Sequence, residues 1–168
     1  MSLVKRIFLA AMALVILVLA GGAGFLFFKK PNQRPPLSET VTATPERLAR
    51  GQYLAVNALS CLHCHSPINP TRWSAAADLD LVGSGGLCLD EAAGFPGKVC
   101  SPNITADPDT GIGAWTDGEI MRAIREGISR DGRPLLPFMN YLEYRQLPDE
   151  DVRSIVVFLR TLKPIRKV

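Results

Sequence analysis

The sequence is short of histidine and, outside its first segment, of lysine. Its only histidines are His63 and His65, and its four cysteines all lie between residues 61 and 100. From residue 44 onward there are three lysines, and 14 basic residues stand against 15 acidic ones. The formal net charge of +3 therefore comes from the first 43 residues, where five basic residues stand against one acidic. A folded part of this charge is not expected to bind nucleic acid, and it has no dense lysine ring for an acidic partner.

Charge is also absent from residues 7–28, which form an apolar run between Lys5-Arg6 and Lys29-Lys30. A helix of this length spans about 33 Å, close to the hydrocarbon thickness of a bilayer. A cleaved signal peptide is the alternative, but its apolar core usually has about 7–15 residues. We therefore expect a retained anchor at 7–28, preceded by a short cytoplasmic N-terminus at 1–6. The proline-rich residues 29–43 are expected to form an extended stem before a domain at 44–168.

Residues 61–65 read Cys-Leu-His-Cys-His, the C-x-x-C-H pattern of covalent attachment of a c-type haem. Thiols at this spacing can each add to a vinyl group of one porphyrin, and the adjacent imidazole can then bind the iron. We therefore expect thioethers at Cys61 and Cys64, an iron ligand at His65 and one covalent haem c. A zinc site that also uses Cys88 and Cys100 is the alternative, although that second pair lacks zinc-knuckle spacing. A thioredoxin-type redox motif would require a βαβ context, which the sequence does not indicate.

Haem attachment of this kind takes place on the exported side of a membrane. The expected protein is therefore a single-pass protein of the inner (cytoplasmic) membrane, with its domain in the periplasm or on the exported face. In that compartment Cys88 and Cys100 are expected to form a disulfide. Two buried free thiols are the alternative.

The sixth iron ligand has to come from outside the motif, because His63 is confined between the two thioether cysteines. The remaining candidates are the four methionines: Met1, Met12, Met121 and Met139. The first two belong to the apolar segment, and Met121 lies on a helical stripe where methionine usually fills a core. Met139, in a proline-rich loop far downstream of His65, is the favoured ligand. Met121 or an open iron remain alternatives, and Met/His ligation would favour electron transfer.

The domain is predicted to be all-α. Thr44 and Pro45 begin the first helix as N-cap and first helical residue, and Gly51 within it indicates that a backbone or an aromatic ring packs closely there. Thr116 and Glu119 form a capping box, whose helix buries Ile120, Ile124 and Ile128 and leaves Arg122 off the apolar stripe. No strand is expected in the glycine-rich loop at 78–107. The predicted helices are 46–57, one that begins after Thr116, and 149–162.

From 44 to 162 the chain resembles the class I c-type cytochromes, in particular single-haem domains of bacterial respiratory and dehydrogenase-linked proteins. The resemblance rests on residues 61–65, 101–105, 110–117, 131–134 and 137–139, and on the last helix. It implies first and last helices that cross near Gly51 and Phe158, Met139 as the distal ligand, and Trp115 beside the haem propionates. An ordinary core role is the alternative for Trp115. Asn140 departs from the family, in which proline often follows the methionine.

The resemblance and the motif together predict one-electron transfer by a membrane-anchored, single-haem carrier that is not itself an enzyme. Its expected partners are a membrane and redox proteins such as a dehydrogenase, a quinol-oxidising complex or a terminal oxidase. A haem subunit fixed in a larger complex is the main alternative. A ligand sensor or peroxidase-like enzyme would require an open iron, and no distal histidine is available to it.

Overall fold

The computed structural model describes residues 2–29, 34–69, 71, 73–74 and 77–167. The chain divides into two compact units, Met1–Gln33 and Arg34–Val168, and the second is called the domain below. Helices make up about half of the chain. The regular structure of the domain is mainly helical, which is compatible with the all-α prediction.

Helix α1, Leu3–Phe28, forms almost all of the described part of the first unit. Its length and apolar composition are sufficient to cross a membrane, and a signal sequence would meet the same test. The helix begins at Leu3 and so includes Lys5 and Arg6, which precede the predicted segment at 7–28. The Ser2 hydroxyl caps it by accepting from the backbone N–H of Lys5.

The domain is built on the contact between α2, Pro45–Tyr53, and α6, Asp149–Arg160. Thr44 caps α2 as predicted, and a π-helical turn at Leu54–Ala58 continues it. Gly51 is buried against α6, where an added Cβ would overlap the Ser154 carbonyl group and lie 2.9 Å from the Cβ of Phe158. The predicted close approach at Gly51 is confirmed.

Helix α4, Asp117–Glu126, completes the core. Both halves of its predicted capping box are present, and Ile120, Ile124 and Met121 are buried. Arg122, which the sequence places off the apolar stripe, is buried as well. Its guanidinium extends past the C-terminus of the helix and donates to the carbonyl oxygen of Ser129.

The prediction of a loop without strands at 78–107 was wrong in part. Strands β1, Cys88–Leu89, and β2, Val99–Cys100, form a small antiparallel ladder in which Cys88 stands opposite Cys100. Two-residue strands carry no alternation that a sequence pattern could reveal. Other short elements that the sequence did not predict are the 3₁₀ turns Leu79–Leu81 and Glu91–Ala93 and the helix α5, Tyr141–Tyr144.

The predicted stem at 29–43 falls into two parts. Residues 30–33 lie outside the described residues, whereas residues from Arg34 onward lie on the surface of the domain. Glu39 forms an ion pair of 2.6 Å with Arg153, and the backbone N–H of Val41 donates to Asp117 at 2.8 Å. The second compact unit of the structure therefore starts at Arg34, within the segment predicted as the stem.

Candidate functional site

Helix α3, Cys61–Cys64, contains both cysteines of the C-x-x-C-H motif. It follows Ser60, whose φ of 53° is in the left-handed region and turns the chain sharply after the π-helical turn. Cys61 is partly buried and Cys64 is exposed, and both have free thiols. Burial raises the pKa of Cys61 to about 11.

His65 directly follows α3, and its ring is held by a backbone group. The Nδ1 atom lies 2.8 Å from the carbonyl oxygen of Pro102. Because a carbonyl oxygen can only accept, Nδ1 carries the ring proton and Nε2 keeps its lone pair. Burial lowers the pKa of His65, which also favours the neutral ring. A neutral imidazole oriented by a second bond is the usual form of a histidine metal ligand.

The motif is bound to two loop segments on its C-terminal side. The Ser101 hydroxyl donates to the carbonyl oxygen of Cys64 and accepts from the backbone N–H of Leu87. The N–H of Gly85 donates to the carbonyl oxygen of His65 at 2.8 Å. The sequence analysis did not assign these roles to Ser101 and Gly85. The only related signal was that residues 101–105 are among the segments that resemble the c-type cytochromes.

The two candidate methionines in the domain have different surroundings. Met121 is 4% exposed and belongs to the hydrophobic core. Met139 is partly buried and packs against the edge of that core. Other partly buried apolar side chains that pack against the core are Val41, Leu59, Cys61, Leu62, Ile104, Trp115, Tyr144, Leu147 and Leu162. Partly buried apolar side chains, the two thiols of the motif and an oriented imidazole are the groups that would suit an apolar macrocycle such as haem.

Trp115 lies in the turn before α4, and Arg160 of α6 fixes that turn. The Arg160 guanidinium donates to the carbonyl oxygens of Trp115 and Ile112 and forms an ion pair of 2.7 Å with Asp117. This geometry holds the Trp115 backbone at the core edge. It is compatible with either predicted role of the indole, at a propionate or in the core.

The chain after Met139 is bound to the chain before the motif. The hydroxyl of Tyr144 in α5 donates to the carbonyl oxygen of Leu59 at 3.0 Å. Because Leu59 lies two residues before Cys61, this bond links the methionine segment to the motif. The pKa of Tyr144 is raised by burial and, to a lesser degree, by the neighbouring Cys61 and Cys64.

The zinc alternative receives no support from the described residues. Among them, no group of three or more His, Cys, Asp or Glu side chains is arranged to hold a metal ion. The structure pairs Cys88 with Cys100, their sulfur atoms 2.05 Å apart, and not with Cys61 or Cys64.

The known proteins that the chain resembles are subunits of dehydrogenases and a cytochrome c-type protein. It is 38% identical over 120 residues to a nicotinate dehydrogenase subunit of Pseudomonas putida, across 71% of this chain and 9% of that protein. It is 33% identical over 119 residues to the cytochrome c subunit of the alcohol dehydrogenase (quinone) of Gluconobacter oxydans, across 70% of this chain and 22% of that protein. A diheme cytochrome c-type protein of Cereibacter sphaeroides is 32% identical over 160 residues, across 95% of this chain and 49% of that protein.

The chain belongs to the c-type cytochromes. No protein-family model matches it. As a c-type cytochrome it holds haem c by covalent bonds. The sequence contains one C-x-x-C-H motif, at 61–65, whereas one of its relatives is named as a diheme protein. The cytochrome spans less than half the length of each of these relatives.

Proposed function

We propose that this c-type cytochrome is a single-haem, class I cytochrome that transfers one electron at a time. The observation that carries the proposal is the Nδ1 contact of His65 with the Pro102 carbonyl oxygen, which leaves Nε2 for the iron beside two free thiols. The bound haem would supply a one-electron couple between ferric and ferrous iron. The protein would supply a fixed ligand set, so that its own bonds need not change during transfer.

The proposed ligands are His65 and Met139, with thioethers at Cys61 and Cys64. The burial of Met121 in the core supports Met139, because a core side chain would have to leave its packing to reach the iron. Trp115 is proposed to contact a propionate, supported by its place at the core edge. Two protein ligands would leave no open position for a substrate, which favours electron transfer over a sensor or peroxidase role.

We further propose that α1 is a retained anchor in the inner membrane and that the domain faces the periplasm. The length of α1 and the aromatic residues at its C-terminal end support retention over cleavage. The antiparallel pairing of Cys88 and Cys100 supports a disulfide, which would persist in that oxidising compartment. An anchor would also raise the local concentration of the domain near membrane partners.

The proposed redox partner is a dehydrogenase, supported by the names of the relatives. A second candidate is a haem subunit fixed in a dehydrogenase complex, and the same names favour it because they describe subunits. Purification in mild detergent distinguishes the two. A dehydrogenase that stays bound through washing at high salt indicates a fixed subunit, whereas recovery of the cytochrome alone indicates a mobile carrier.

The ligand assignment is tested with the full chain, produced with c-type haem maturation and purified as the holoprotein. The ferric wild type should show the long-wavelength sulfur-to-iron charge-transfer band. Met139→Ala should lose this band and have a lower reduction potential. Met121→Leu is the matched control, because it conserves core volume and should keep both properties. An unchanged ferric spectrum in Met139→Ala would refute the assignment.

A further inference from the structure

The cysteine hairpin, residues 88–100, lies between the motif that holds His65 and the loop that presents Met139. Its base is formed by β1 and β2, with Cys88 opposite Cys100. The two segments that leave this base are the ones bound to the motif. Gly85 donates to the carbonyl oxygen of His65, and Ser101 donates to that of Cys64. The hairpin base is thus anchored to the proximal side of the site.

The far part of the hairpin has its own backbone bonds, which orient Phe95. The side chain of Asp90 accepts from the N–H of Ala92, and the carbonyl oxygen of Asp90 accepts from the N–H of Phe95 at 3.0 Å. The N–H of Gly97 in turn donates to the carbonyl oxygen of Phe95 at 2.8 Å. The position of Phe95 is therefore set by the turn and does not depend on its ring contact alone.

The ring of Phe95 contacts that of Phe138, the residue before Met139. The ring centroids are 5.3 Å apart, with an interplanar angle of 62°, which is an edge-to-face arrangement. Phe138 is 64% exposed and Phe95 is partly buried. Most of the Phe138 side chain faces solvent, so the hydrophobic core does little to restrain it. The contact with Phe95 of the hairpin supplies a restraint instead.

Backbone bonds restrain the rest of the Met139 segment unevenly. Leu135 donates to the carbonyl oxygen of Gly127 at 2.7 Å, and Tyr144 of α5 is bound to the motif side. Between these two points the N–H of Met139 donates only within its own turn, to the carbonyl oxygen of Leu136 at 3.1 Å. The Phe95–Phe138 contact lies in this interval and adds a restraint from the hairpin to the packing of Met139 against the core.

We propose that the cysteine hairpin is a brace for the distal ligand and that Phe95 is its positioning residue. The brace joins the C-x-x-C-H motif to Phe138 and so holds the loop from which Met139 would bind the haem iron. This inference rests on the proposed ligation by Met139. It predicts that loss of the ring contact makes Met139 easier to displace, although neither phenylalanine is an iron ligand.

The test is the affinity of free imidazole for the ferric holoprotein at fixed pH, followed by the loss of the charge-transfer band. Imidazole must displace the methionine, so the iron–sulfur bond breaks, an iron–nitrogen bond forms and no electron is transferred. Phe95→Ala should raise the imidazole affinity by about three- to tenfold, from the usual contribution of an aromatic pair. Phe138→Ala should do the same, and the double variant should add little to either.

Val99→Ala is the matched control, because it truncates an apolar, 40% exposed side chain in the same hairpin. It should leave the imidazole affinity within about twofold of wild type. Phe95→Leu keeps apolar bulk without a ring and replaces Phe95→Ala if that variant fails to take up haem. Equal shifts in Val99→Ala and Phe95→Ala, or additive effects of the two phenylalanine variants, would overturn the brace.

The wild-type spectrum separates this proposal from the proposed function. If the wild type lacks the charge-transfer band, the ligation by Met139 fails and the brace fails with it. If the band is present and Phe95→Ala binds imidazole like the wild type, only the brace is refuted.

Discussion

Gly51 lies directly against the backbone of Ser154, where α2 crosses α6. An added Cβ would overlap the Ser154 carbonyl group, and the next contact is the Cβ of Phe158. Neither neighbour is the movable end of a side chain, so the two helices would have to separate to admit a methyl group. Ion pairs of Arg47 with Glu150 and of Arg50 with Asp151 flank this contact.

Gly51→Ala is therefore expected to lower the free energy of unfolding of the holoprotein by about 3 kcal/mol, the upper part of the range for overpacking. The gain in helix propensity, about 1 kcal/mol, is too small to compensate. Denaturant unfolding followed at the haem absorbance measures the change. Gln52→Ala, on the exposed neighbour, should stay within about 0.5 kcal/mol of wild type. Equal stability of the Gly51→Ala variant and wild type would show that the helices can separate.

Asn103 is a buried side chain whose amide joins distant segments. Its Nδ2 donates to the carbonyl oxygen of Ile165 at 2.7 Å and to the hydroxyl of Thr110 at 3.0 Å, while its Oδ1 accepts from Thr105. Asn103→Ala should destabilise the holoprotein by about 2 kcal/mol, because the groups that bonded to the amide would stay buried without a hydrogen-bond partner. Unfolding in guanidinium measures this loss. Asn57→Ala, at an exposed asparagine, is the control, and a similar small loss at both positions would contradict the assignment.

Arg160 gives a prediction that separates charge from geometry. Its guanidinium reaches Asp117 and several carbonyl oxygens, among them that of Trp115, a set that one ammonium group cannot reproduce. Arg160→Lys is expected to cost about 1–3 kcal/mol of unfolding free energy despite the conserved charge. Arg145→Lys, on an exposed arginine, should cost little. If Arg160→Lys matched wild type, the charge alone would explain the role of Arg160.

The carboxylate of Asp107 is expected to cause part of the loss of folding stability of the domain at acid pH. The backbone N–H of Thr110 is the main cause that lowers the pKa of Asp107, and the Thr110 hydroxyl adds to it. A carboxylate with a lowered folded-state pKa stabilises the protein above its unfolded value, about 3.9, and loses this contribution as pH falls further. Asp107→Asn should therefore lose less stability than wild type between about pH 4 and pH 2.

Unfolding by urea at a series of pH values tests this difference between the variant and the wild type. Exposed Asp80→Asn is the matched control and should keep the wild-type acid slope. Parallel acid slopes for wild type and Asp107→Asn would rule out the contribution of Asp107.

The sequence predicted those parts of the fold that depend on local chemistry. Thr44 with Pro45 and Thr116 with Glu119 are capping signals, and the structure begins both helices there. Gly51 indicated a close approach because glycine is costly inside a helix, although the residues that approach it are about a hundred positions away. In contrast, the helical period only places Arg122 off the apolar stripe, and its burial depends on a carbonyl group beyond the helix end.

In the candidate site, too, the sequence predicted the residues of a local motif but not the contacts between distant segments. The motif predicted His65 as an iron ligand, but its orientation by Pro102 is a contact between a side chain and a distant carbonyl group, which no spacing rule encodes. Ser101 likewise acts through its position beside Cys64. The strands β1 and β2 were missed because two residues cannot show a period, so only the cysteines within them gave a signal.

The pairing of α2 with α6 also has a consequence for the order of events during biosynthesis. Arg47 and Glu150, which meet across this pair, are separated by 103 residues in sequence. A chain that emerges from its N-terminus therefore presents Cys61 and Cys64 long before the last helix exists, and it cannot close its core until that helix arrives. During this interval the two thiols belong to an unfinished domain.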